Sequence, residues 1–398
     1  MRITALETLR FPEFGNLLWL RLHTDQGLIG FGETFRGAPA VEAQLHSDVA
    51  ERVLGADPFD IERLSQQLSR PYVGARSSGV EIRAASALDI ALWDLIGKAK
   101  DEPVWRLLGG QSHARMATYN TCAGPRYNAS GGRREINQGE AVVTRYDDQV
   151  AFMRDAGALA EDLLNDGIKA MKIWPFDAKA AAFGGGAIAR AELLDALRPV
   201  QSIRAAVGDA MDILIECHGL WELPAARAIA DGLADYGIFW MEDPIRLADP
   251  VALADLRRQI SIPITASEVY ATRAQFLDVL RADAIDYAML DLSWCGGLTE
   301  ARKIAALADS FQRPVAPHDC TGPVVFMASL HFAIATPNAI FQESVRAYYR
   351  GWYQDLVSAV PQPVDGFFVP PAGPGLGLEP KSDVLARKDL IRRISQIN

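Results

Sequence analysis

Short apolar runs alternate with amphipathic stretches from Ala114 to about Arg350. Eight of the runs predict β-strands, and the stretches between them, such as ELLDALRPVQSIRAAVG, carry apolar residues at helical spacing. The strand candidates are MATYNTC, IKAMKIW, ILIEC, IFWMED, ITAS, YAMLDL, RPVAP and AIFQES. Eight strands separated by helices are typical of a (β/α)8 TIM barrel. A doubly wound open sheet is the alternative, but it gives no reason for polar residues at so many strand ends.

The first part of the chain has a different pattern. It begins with β-like runs, as in NLLWLRLHTDQGLIGFGET, in which DQG supplies a turn. A long helical stretch follows, GVEIRAASALDIALWDLIGKAKDEPVWRLLGG, with apolar residues at helical spacing. We therefore predict an α+β domain over residues 1–112 and a barrel over residues 113–352. The remaining segment, residues 353–398, is rich in Pro and Gly, and we expect it to pack back on the first domain.

Composition narrows the class of protein. The chain has 398 residues, 49% hydrophobic and 23% charged, and a formal net charge of −10. This composition is ordinary for a globular protein, and because no Lys/Arg run interleaves with aromatic residues we expect no nucleic-acid partner. No apolar stretch reaches the ~20 residues of a membrane helix, and the first residues lack the pattern of a signal peptide. The four cysteines lack metal-site spacing. We expect a cytoplasmic protein with no membrane partner.

Carboxylates stand at the ends of three consecutive predicted strands. Glu216, Glu242 and Glu268 end the third, fourth and fifth strands at equal spacing along the chain. The carboxyl ends of barrel strands form the functional face, and neighbouring strands lie ~4.8 Å apart, so the three side chains should converge. Any one of them alone is more often a solvated loop acid, but three together require a cation. Oxygen ligands with room for water and substrate favour Mg²⁺.

Other strand ends carry further candidates for chemistry. His218 follows Glu216 by two residues, which would place both side chains on one face of the third strand. Asp291 and His318 end the sixth and seventh strands, where a carboxylate can orient an imidazole and raise its basicity. A histidine on its own is more often part of a solvated or capped loop. The other two candidates are Lys172 on the second strand and Glu343 on the eighth.

Several motifs resemble one family. WMEDP, LDLSWCGGLTEARKIA, LDIALWDLIGKAKDEPVWRLLGG and the spaced carboxylates are similar to the enolase superfamily, in particular its mandelate racemase subgroup. The resemblance covers nearly the whole chain. It implies that the N-terminal domain caps the barrel and that the protein is a homo-oligomer. It also implies a Mg²⁺ ion held by Glu216, Glu242 and Glu268, and removal of the proton α to a carboxylate.

The resemblance also implies roles for the remaining residues. In this subgroup the histidine and aspartate that correspond to His318 and Asp291 form a catalytic dyad. The glutamate that matches Glu343 hydrogen-bonds a substrate carboxylate oxygen. Acid-sugar dehydratases of the subgroup carry a histidine at the position of His218, where it protonates the departing β-hydroxyl.

One departure from the family pattern bears on the type of reaction. Many members carry Lys-x-Lys on the second strand, the second lysine being a base opposite the histidine. Here Lys172 is followed by Ile173 and Trp174. Lys172 can still bind the substrate and neutralise its carboxylate, but the opposite-face base is missing, which disfavours racemisation.

Three functions remain open at this point. The favoured one is a Mg²⁺-dependent dehydratase of a sugar acid, an aldonate or aldarate, that yields a 2-keto-3-deoxy acid. The alternatives are a racemase or epimerase of an α-hydroxy acid and a non-catalytic sugar-acid-binding barrel. We expect specificity to come from N-terminal loops near RFPEFGN and SRPYVGARSSG, and a lid from the stretch NASGGRREINQGEAVVTRYDDQ.

Overall fold

An antiparallel sheet of four strands forms one layer of the N-terminal part of the chain. The computed structural model describes residues 1–69, 77–130 and 145–397. The sheet has the spatial order Ile391–Gln396, Ile3–Phe11, Phe14–Thr24, Ile29–Phe35. Its first member in that order is the last strand of the chain, which pairs antiparallel with the first strand.

A long helix, Val80–Lys100, covers one face of this sheet. Close approach is possible because the strand beneath it carries Gly30 and Gly32. A Cβ atom at either glycine would overlap the backbone carbonyls of Ala91 and Ala87 on the helix. The glycines of IGFGETF therefore set the distance between the helix and the sheet. Further helices pack around the same core: Ala38–Gln44, Ala50–Val53, Ile61–Ser69 and Val104–Leu107, with a π-helical turn at Leu45–Val49.

Eight parallel strands form the barrel, and each coincides with one of the predicted runs. They are Met116–Thr121, Ala170–Ile173, Asp212–Glu216, Ile238–Glu242, Ile264–Ala266, Tyr287–Leu290, Val315–Pro317 and Gln342–Ser344. Hydrogen bonds from Ile340 N to Val315 O (3.1 Å) and from Val315 N to Asn338 O (2.9 Å) join the seventh strand to the segment before the eighth. The predicted fold class, a TIM barrel with an N-terminal α+β domain, is confirmed.

Helices connect the barrel strands. The main connecting helices are Asp148–Asn165, Arg190–Val207, Leu223–Leu233, Pro250–Gln259, Thr272–Arg281, Gly297–Ser310 and Pro323–Ala335, and a short one is Asp177–Ala180. Two further short helices, Tyr353–Leu356 and Ser382–Leu385, follow the last barrel strand. No helix among the residues described is long and apolar enough to cross a membrane. The predicted domain limits, 1–112, 113–352 and 353–398, stay predictions.

Aromatic side chains fill the barrel interior below the strand ends. Tyr119 and Trp240 are fully buried, and their rings meet edge to face with centroids 5.6 Å apart. Trp240 also contacts Tyr287 and Phe341. Because this layer is filled, polar side chains near the carboxyl ends of the strands have a packed floor beneath them.

The C-terminal segment is joined to the N-terminal domain through one buried carboxylate. Asp94 accepts hydrogen bonds from Phe31 N and Leu376 N, both at 2.8 Å, and an ion pair from Lys98 at 2.7 Å. A single side chain thus connects the sheet, the long helix and the tail.

We predict that Asp94→Asn lowers the free energy of unfolding by about 1–3 kcal/mol, because an amide cannot accept both backbone N–H groups and also pair with Lys98. Chemical denaturation measures the change. The matched control is Asp101→Asn on the same helix, where the side chain is exposed and φ is 54°, a conformation that Asn tolerates. Equal stability of the two variants would contradict the role of Asp94.

Candidate active site

A cavity of about 780 Å³ lies over the carboxyl ends of the barrel strands. The N-terminal domain contributes Gly15, Asn16, Phe35 and Arg36 to its wall, so the predicted loop near RFPEFGN does reach the cavity. The barrel contributes residues that include Lys172, Trp174, Glu216, His218, Glu268 and His318. The cavity therefore brings together side chains from distant parts of the sequence, as a barrel mouth does.

Glu216 and Glu242 stand opposite each other on neighbouring strands. They are register partners in the parallel ladder between the third and fourth strands. Both are almost fully buried, and burial raises the pKa of Glu216 to about 8, with further contributions from nearby carboxylates that include Glu268. Burial and the charge of Glu216 likewise raise the pKa of Glu242. Glu216 thus lies close enough to each of the other two predicted metal ligands for their charges to interact.

Glu268 has a different partner from the other two carboxylates. Its Oε2 lies 2.6 Å from His318 Nε2. Although burial raises the pKa of Glu268, His318 lowers it to about 2. Within the described ranges, no group of three or more His, Cys, Asp or Glu side chains has an arrangement that could hold a metal ion. The sequence predicted that the carboxylates converge, but it did not predict that Glu268 pairs with His318.

Lys172 lies at the centre of the carboxylates. Its Nζ is 2.8 Å from Glu242 Oε2, 2.9 Å from Glu343 Oε1 and 3.6 Å from Glu216 Oε2. Burial alone would lower the pKa of Lys172, but Glu242 and Glu343 raise it well above its ordinary value. A buried ammonium group surrounded in this way stays charged. The side chain is therefore placed to neutralise anionic groups at the base of the cavity.

His318 and Asp291 form a close pair. Nδ1 of the imidazole lies 2.7 Å from Asp291 Oδ2, and the other oxygen of Asp291 accepts from Ser293 N at 2.6 Å. Burial lowers the pKa of His318, but the charges of Glu268 and Glu343 and the bonds to its partners raise it well above the ordinary value. The ring of Trp294 stacks on His318, with centroids 5.9 Å apart. The imidazole is thus fixed in both plane and direction.

Glu343 is fully buried and fully paired. It accepts from Lys172, from Thr121 Oγ1 and from Asp319 N (3.1 Å). Burial raises its pKa, but Lys172 and His318 outweigh this effect and lower the pKa below the ordinary value. The surrounding partners therefore favour the ionised form of Glu343.

His218 lies just beyond the end of its strand. The third strand ends at Glu216, and His218 adopts φ 49° in the following turn, so the two residues do not share a strand face. The turn nevertheless directs the imidazole into the cavity wall, where Nδ1 lies 2.7 Å from Asp177 Oδ2. Burial lowers the pKa of His218, but Asp177 raises it above its ordinary value. The ring also packs edge to face on Trp174, at 6.0 Å.

Two carboxylates at the cavity were not predicted from the sequence. Asp177 follows the second strand and pairs with His218, but nothing in its sequence neighbourhood links it to a histidine so far along the chain. Asp243 is part of the quoted motif WMEDP. It is buried, it lines the cavity, and it accepts from Ser267 Oγ at 2.7 Å. Its position immediately after the strand-end residue Glu242 could have indicated that it lies at the site.

Parts of the predicted loops lie outside the described residues. This is true of most of SRPYVGARSSG (residues 70–76) and of residues 131–144 in the predicted lid. The start of that stretch, residues 128–130, lines the cavity. Arg145 and Tyr146 instead border a separate hollow, where the tyrosine ring is contacted by the guanidinium groups of Arg145, Arg346 and Arg350.

Two known families match most of the chain. Residues 155–384 match the family described as enolase C-terminal domain-like. Residues 13–109 match the N-terminal domain of the mandelate racemase / muconate lactonizing enzyme family. The first match begins within the helix Asp148–Asn165 and covers the barrel from its second strand onward with part of the tail, and the second covers most of the N-terminal domain.

Individual relatives agree with the family matches. D-galactonate dehydratase of Ralstonia nicotianae is 32% identical over 391 residues, which cover 95% of this chain and 92% of the relative. D-xylonate dehydratase of Haloferax volcanii is 29% identical over 372 residues, 92% of this chain and 84% of the relative. Among solved structures, an enolase of the mandelate racemase subgroup from Agrobacterium tumefaciens is 46% identical, with a TM-score of 0.88. An enolase protein from Sargasso Sea environmental sequencing is also 46% identical, with a TM-score of 0.89; each structural match covers 100% of this chain and 99% of the other.

Proposed function

The chain belongs to the mandelate racemase / muconate lactonizing enzyme family of the enolase superfamily, and from that premise we propose that it is a Mg²⁺-dependent sugar-acid dehydratase. The substrate is an aldonate or aldarate, and the product is a 2-keto-3-deoxy acid. The relatives that act on D-galactonate and D-xylonate support this class of substrate.

One observation carries the proposal. Two histidines, His318 and His218, line the same cavity, and each is oriented through Nδ1 by its own carboxylate, Asp291 and Asp177. Elimination of water across a carbon–carbon bond needs a base for the α-proton and an acid for the β-hydroxyl, because hydroxide is a poor leaving group. A protein that only binds a sugar acid has no need of both.

The carboxylates suit Mg²⁺ in their chemistry. Glu216, Glu242 and Glu268 offer only oxygen donors, which magnesium prefers. Burial together with mutual repulsion raises the pKa of Glu216 to about 8, so a cation there would relieve an existing electrostatic cost. One oxygen of Glu268 is paired with His318, so a bound cation would compete with the imidazole for this carboxylate. When bound, Mg²⁺ supplies positive charge against the negative charge that develops on the substrate carboxylate as the α-proton leaves.

Each histidine carries out one of the two proton transfers. His318 takes the α-proton through Nε2, the nitrogen that faces Glu268, so the imidazole has to give up this contact before it acts as the base. The electron pair left on the α-carbon forms a double bond to the β-carbon as the β C–O bond breaks. His218 gives its proton to the departing oxygen, which leaves as water. The resulting enol tautomerises to the keto acid.

The residues at the end of the second strand favour dehydration over racemisation. A racemase of this type needs a base on each face of the α-carbon. Trp174 lines the cavity where the family's second lysine would follow Lys172, and an indole cannot accept a proton at neutral pH. Lys172, charged and paired with Glu242 and Glu343, acts instead by binding the substrate carboxylate.

The overall proposal is tested on a panel of aldonates and aldarates. Purified protein with Mg²⁺ should release a keto acid that reacts with semicarbazide from at least one member of the panel. A chelator should stop the release, and added Mg²⁺ should restore it. Exchange of the α-proton with inversion and without loss of water would point to an epimerase, and the dehydratase proposal would be wrong.

We predict that Glu242→Gln weakens Mg²⁺ binding, because the amide is neutral. The loss of affinity should exceed the roughly 10- to 100-fold that is typical when a residue that only supports a metal ligand is removed. Turnover should be abolished. Calorimetric titration of metal-free protein with Mg²⁺ measures the affinity. The control is Glu300→Gln, a buried glutamate away from the cavity that accepts from Arg273 N at 2.8 Å. Unchanged Mg²⁺ affinity in Glu242→Gln would exclude this residue as a ligand.

We predict that His318→Asn lowers turnover by roughly 10²- to 10⁴-fold, the contribution expected of a general base. Exchange of the substrate α-proton with deuterium from solvent, followed by NMR, should fall in parallel because the same base starts both processes. His113→Asn, a change at a partly exposed histidine that contacts Thr336 O, serves as the control. Normal deuterium exchange in His318→Asn would place the base elsewhere.

We predict that His218→Asn loses dehydration by roughly 10²-fold or more but keeps some α-proton exchange, because that step needs no acid for the hydroxyl. A substrate with fluorine in place of the β-hydroxyl should partly rescue the variant, since fluoride leaves with little help from an acid. Asp177→Asn should show a smaller loss of the same kind, because it leaves the imidazole in place but without its orienting carboxylate. Normal dehydration by His218→Asn would assign a structural role to this residue.

A further inference from the structure

The third strand of the N-terminal sheet ends against both segments that carry the His318–Asp291 pair. Thr34 Oγ1 donates to Ser293 O at 3.0 Å, and Trp294 Nε1 donates to Phe35 O at 2.8 Å. These contacts fix the segment that follows Asp291. Glu33, the residue before Thr34 on this strand, likewise contacts the segment that follows His318.

Glu33 is fully buried and surrounded by hydrogen-bond donors. Its Oε1 accepts from Val325 N at 2.9 Å, and its Oε2 accepts from Trp19 Nε1 at 2.7 Å and from Val324 N at 3.4 Å. The two backbone donors belong to the first turn of the helix Pro323–Ala335, where a carboxylate also interacts favourably with the helix dipole. Burial raises the pKa of Glu33 to about 8, but the ionised form is the one that satisfies all three donors.

Gly322 packs closely against the carboxylate of Glu33. A Cβ atom at this position would overlap the carboxylate of Glu33. The φ of Gly322 is −155°, an extended conformation that any residue can adopt, so space and not backbone freedom requires glycine here. The carboxylate of the N-terminal domain thus lies directly against the backbone that leads from His318 into the helix.

Other contacts also anchor the segment from His318 to Gly322, among them one between Cys320 Sγ and Tyr348 Oη at 3.6 Å. His318 N donates to Leu290 O at 2.9 Å, and Asp319 N donates to Glu343 Oε2 at 3.1 Å. Asn128 Nδ2 donates to Cys320 O at 2.6 Å. These contacts hold the beginning and the middle of the segment, and Glu33 holds its end.

We propose that Glu33 is a positioning residue, which fixes the segment 318–325 from the N-terminal domain and so holds the His318 imidazole in its catalytic place. The role of His318 rests on the function proposed above, but the anchoring of the segment does not. The N-terminal domain then contributes to proton abstraction itself, in addition to its contribution to the cavity wall.

Glu33→Gln tests this directly. The amide has nearly the same shape, but either orientation points its NH₂ group at Val325 N or at Trp19 Nε1, both of which are donors. Peptides that cover residues 318–325 should therefore exchange their backbone hydrogens faster in metal-free Glu33→Gln than in the parent protein. Displacement of a base by about 1 Å costs up to about 10²-fold, so we expect kcat for dehydration and for α-proton exchange to fall about 10- to 100-fold with little change in KM.

Asp94→Asn is the matched control. Asp94 is another buried carboxylate of the N-terminal domain that accepts two backbone N–H groups, but its partners, Phe31 and Leu376, lie away from the dyad. This variant should lose stability while it keeps its kcat and the parent hydrogen exchange in residues 318–325.

Two results would overturn the proposal. One is unchanged hydrogen exchange over residues 318–325 in Glu33→Gln, and the other is an equal loss of kcat in Asp94→Asn, which would show that general destabilisation is the cause. If the parent protein turns over no sugar acid, the proposed function fails. The hydrogen-exchange comparison, which needs no substrate, still decides the role of Glu33.

Discussion

The buried ammonium group of Lys172 organises the carboxyl ends of the barrel strands. It contacts carboxylates from the third, fourth and eighth strands, Glu216, Glu242 and Glu343. A charged amine in this position is stable only because those carboxylates compensate the loss of water, and the carboxylates in turn depend on it. Burial nevertheless raises the pKa of Glu216 to about 8, so the ionised form of this carboxylate remains costly. A divalent cation bound there, as proposed above, would lower that cost.

The two histidines differ in ways that suit different tasks. His318 is almost fully buried, stacked on Trp294, and bonded through both ring nitrogens to carboxylates. Such a group is held rigidly, which suits the role of base proposed above. His218 is more exposed and is bonded to one carboxylate, Asp177. This exposure suits the acid role proposed above, because the water that leaves the substrate needs a path to solvent.

The N-terminal domain and the barrel are joined by buried polar contacts at the functional face. Besides Glu33, Ser86 accepts from Gly296 N at 2.9 Å, and Asp89 accepts from Thr299 N at 3.0 Å. Buried polar groups are costly when they lose a partner, so each of these pairs resists relative displacement of the two parts. The domain that forms the cavity wall is therefore also attached to the loops that follow the sixth and seventh strands.

Much of the fold was predictable because it depends on local patterns. Apolar runs of strand length between helical stretches indicated all eight barrel strands, since strand and helix periodicity follow from backbone geometry. The polar residues at the strand ends then indicated which side chains would meet. A barrel places the carboxyl ends of its strands on one face whatever the loops do, so Glu216, Glu242 and His318 could be grouped from the sequence alone.

What only the tertiary structure decided is how those side chains pair. Glu268 bonds His318, Asp177 orients His218, and Glu33 reaches Val325 across 292 positions of the chain. In a crowded cluster of charges, each side chain takes the rotamer that best satisfies all its neighbours at once, and those neighbours come from strands and loops far apart in sequence. Periodicity places a residue on an element and a face. The partner that it selects depends on distances and desolvation, which exist only once the chain has folded.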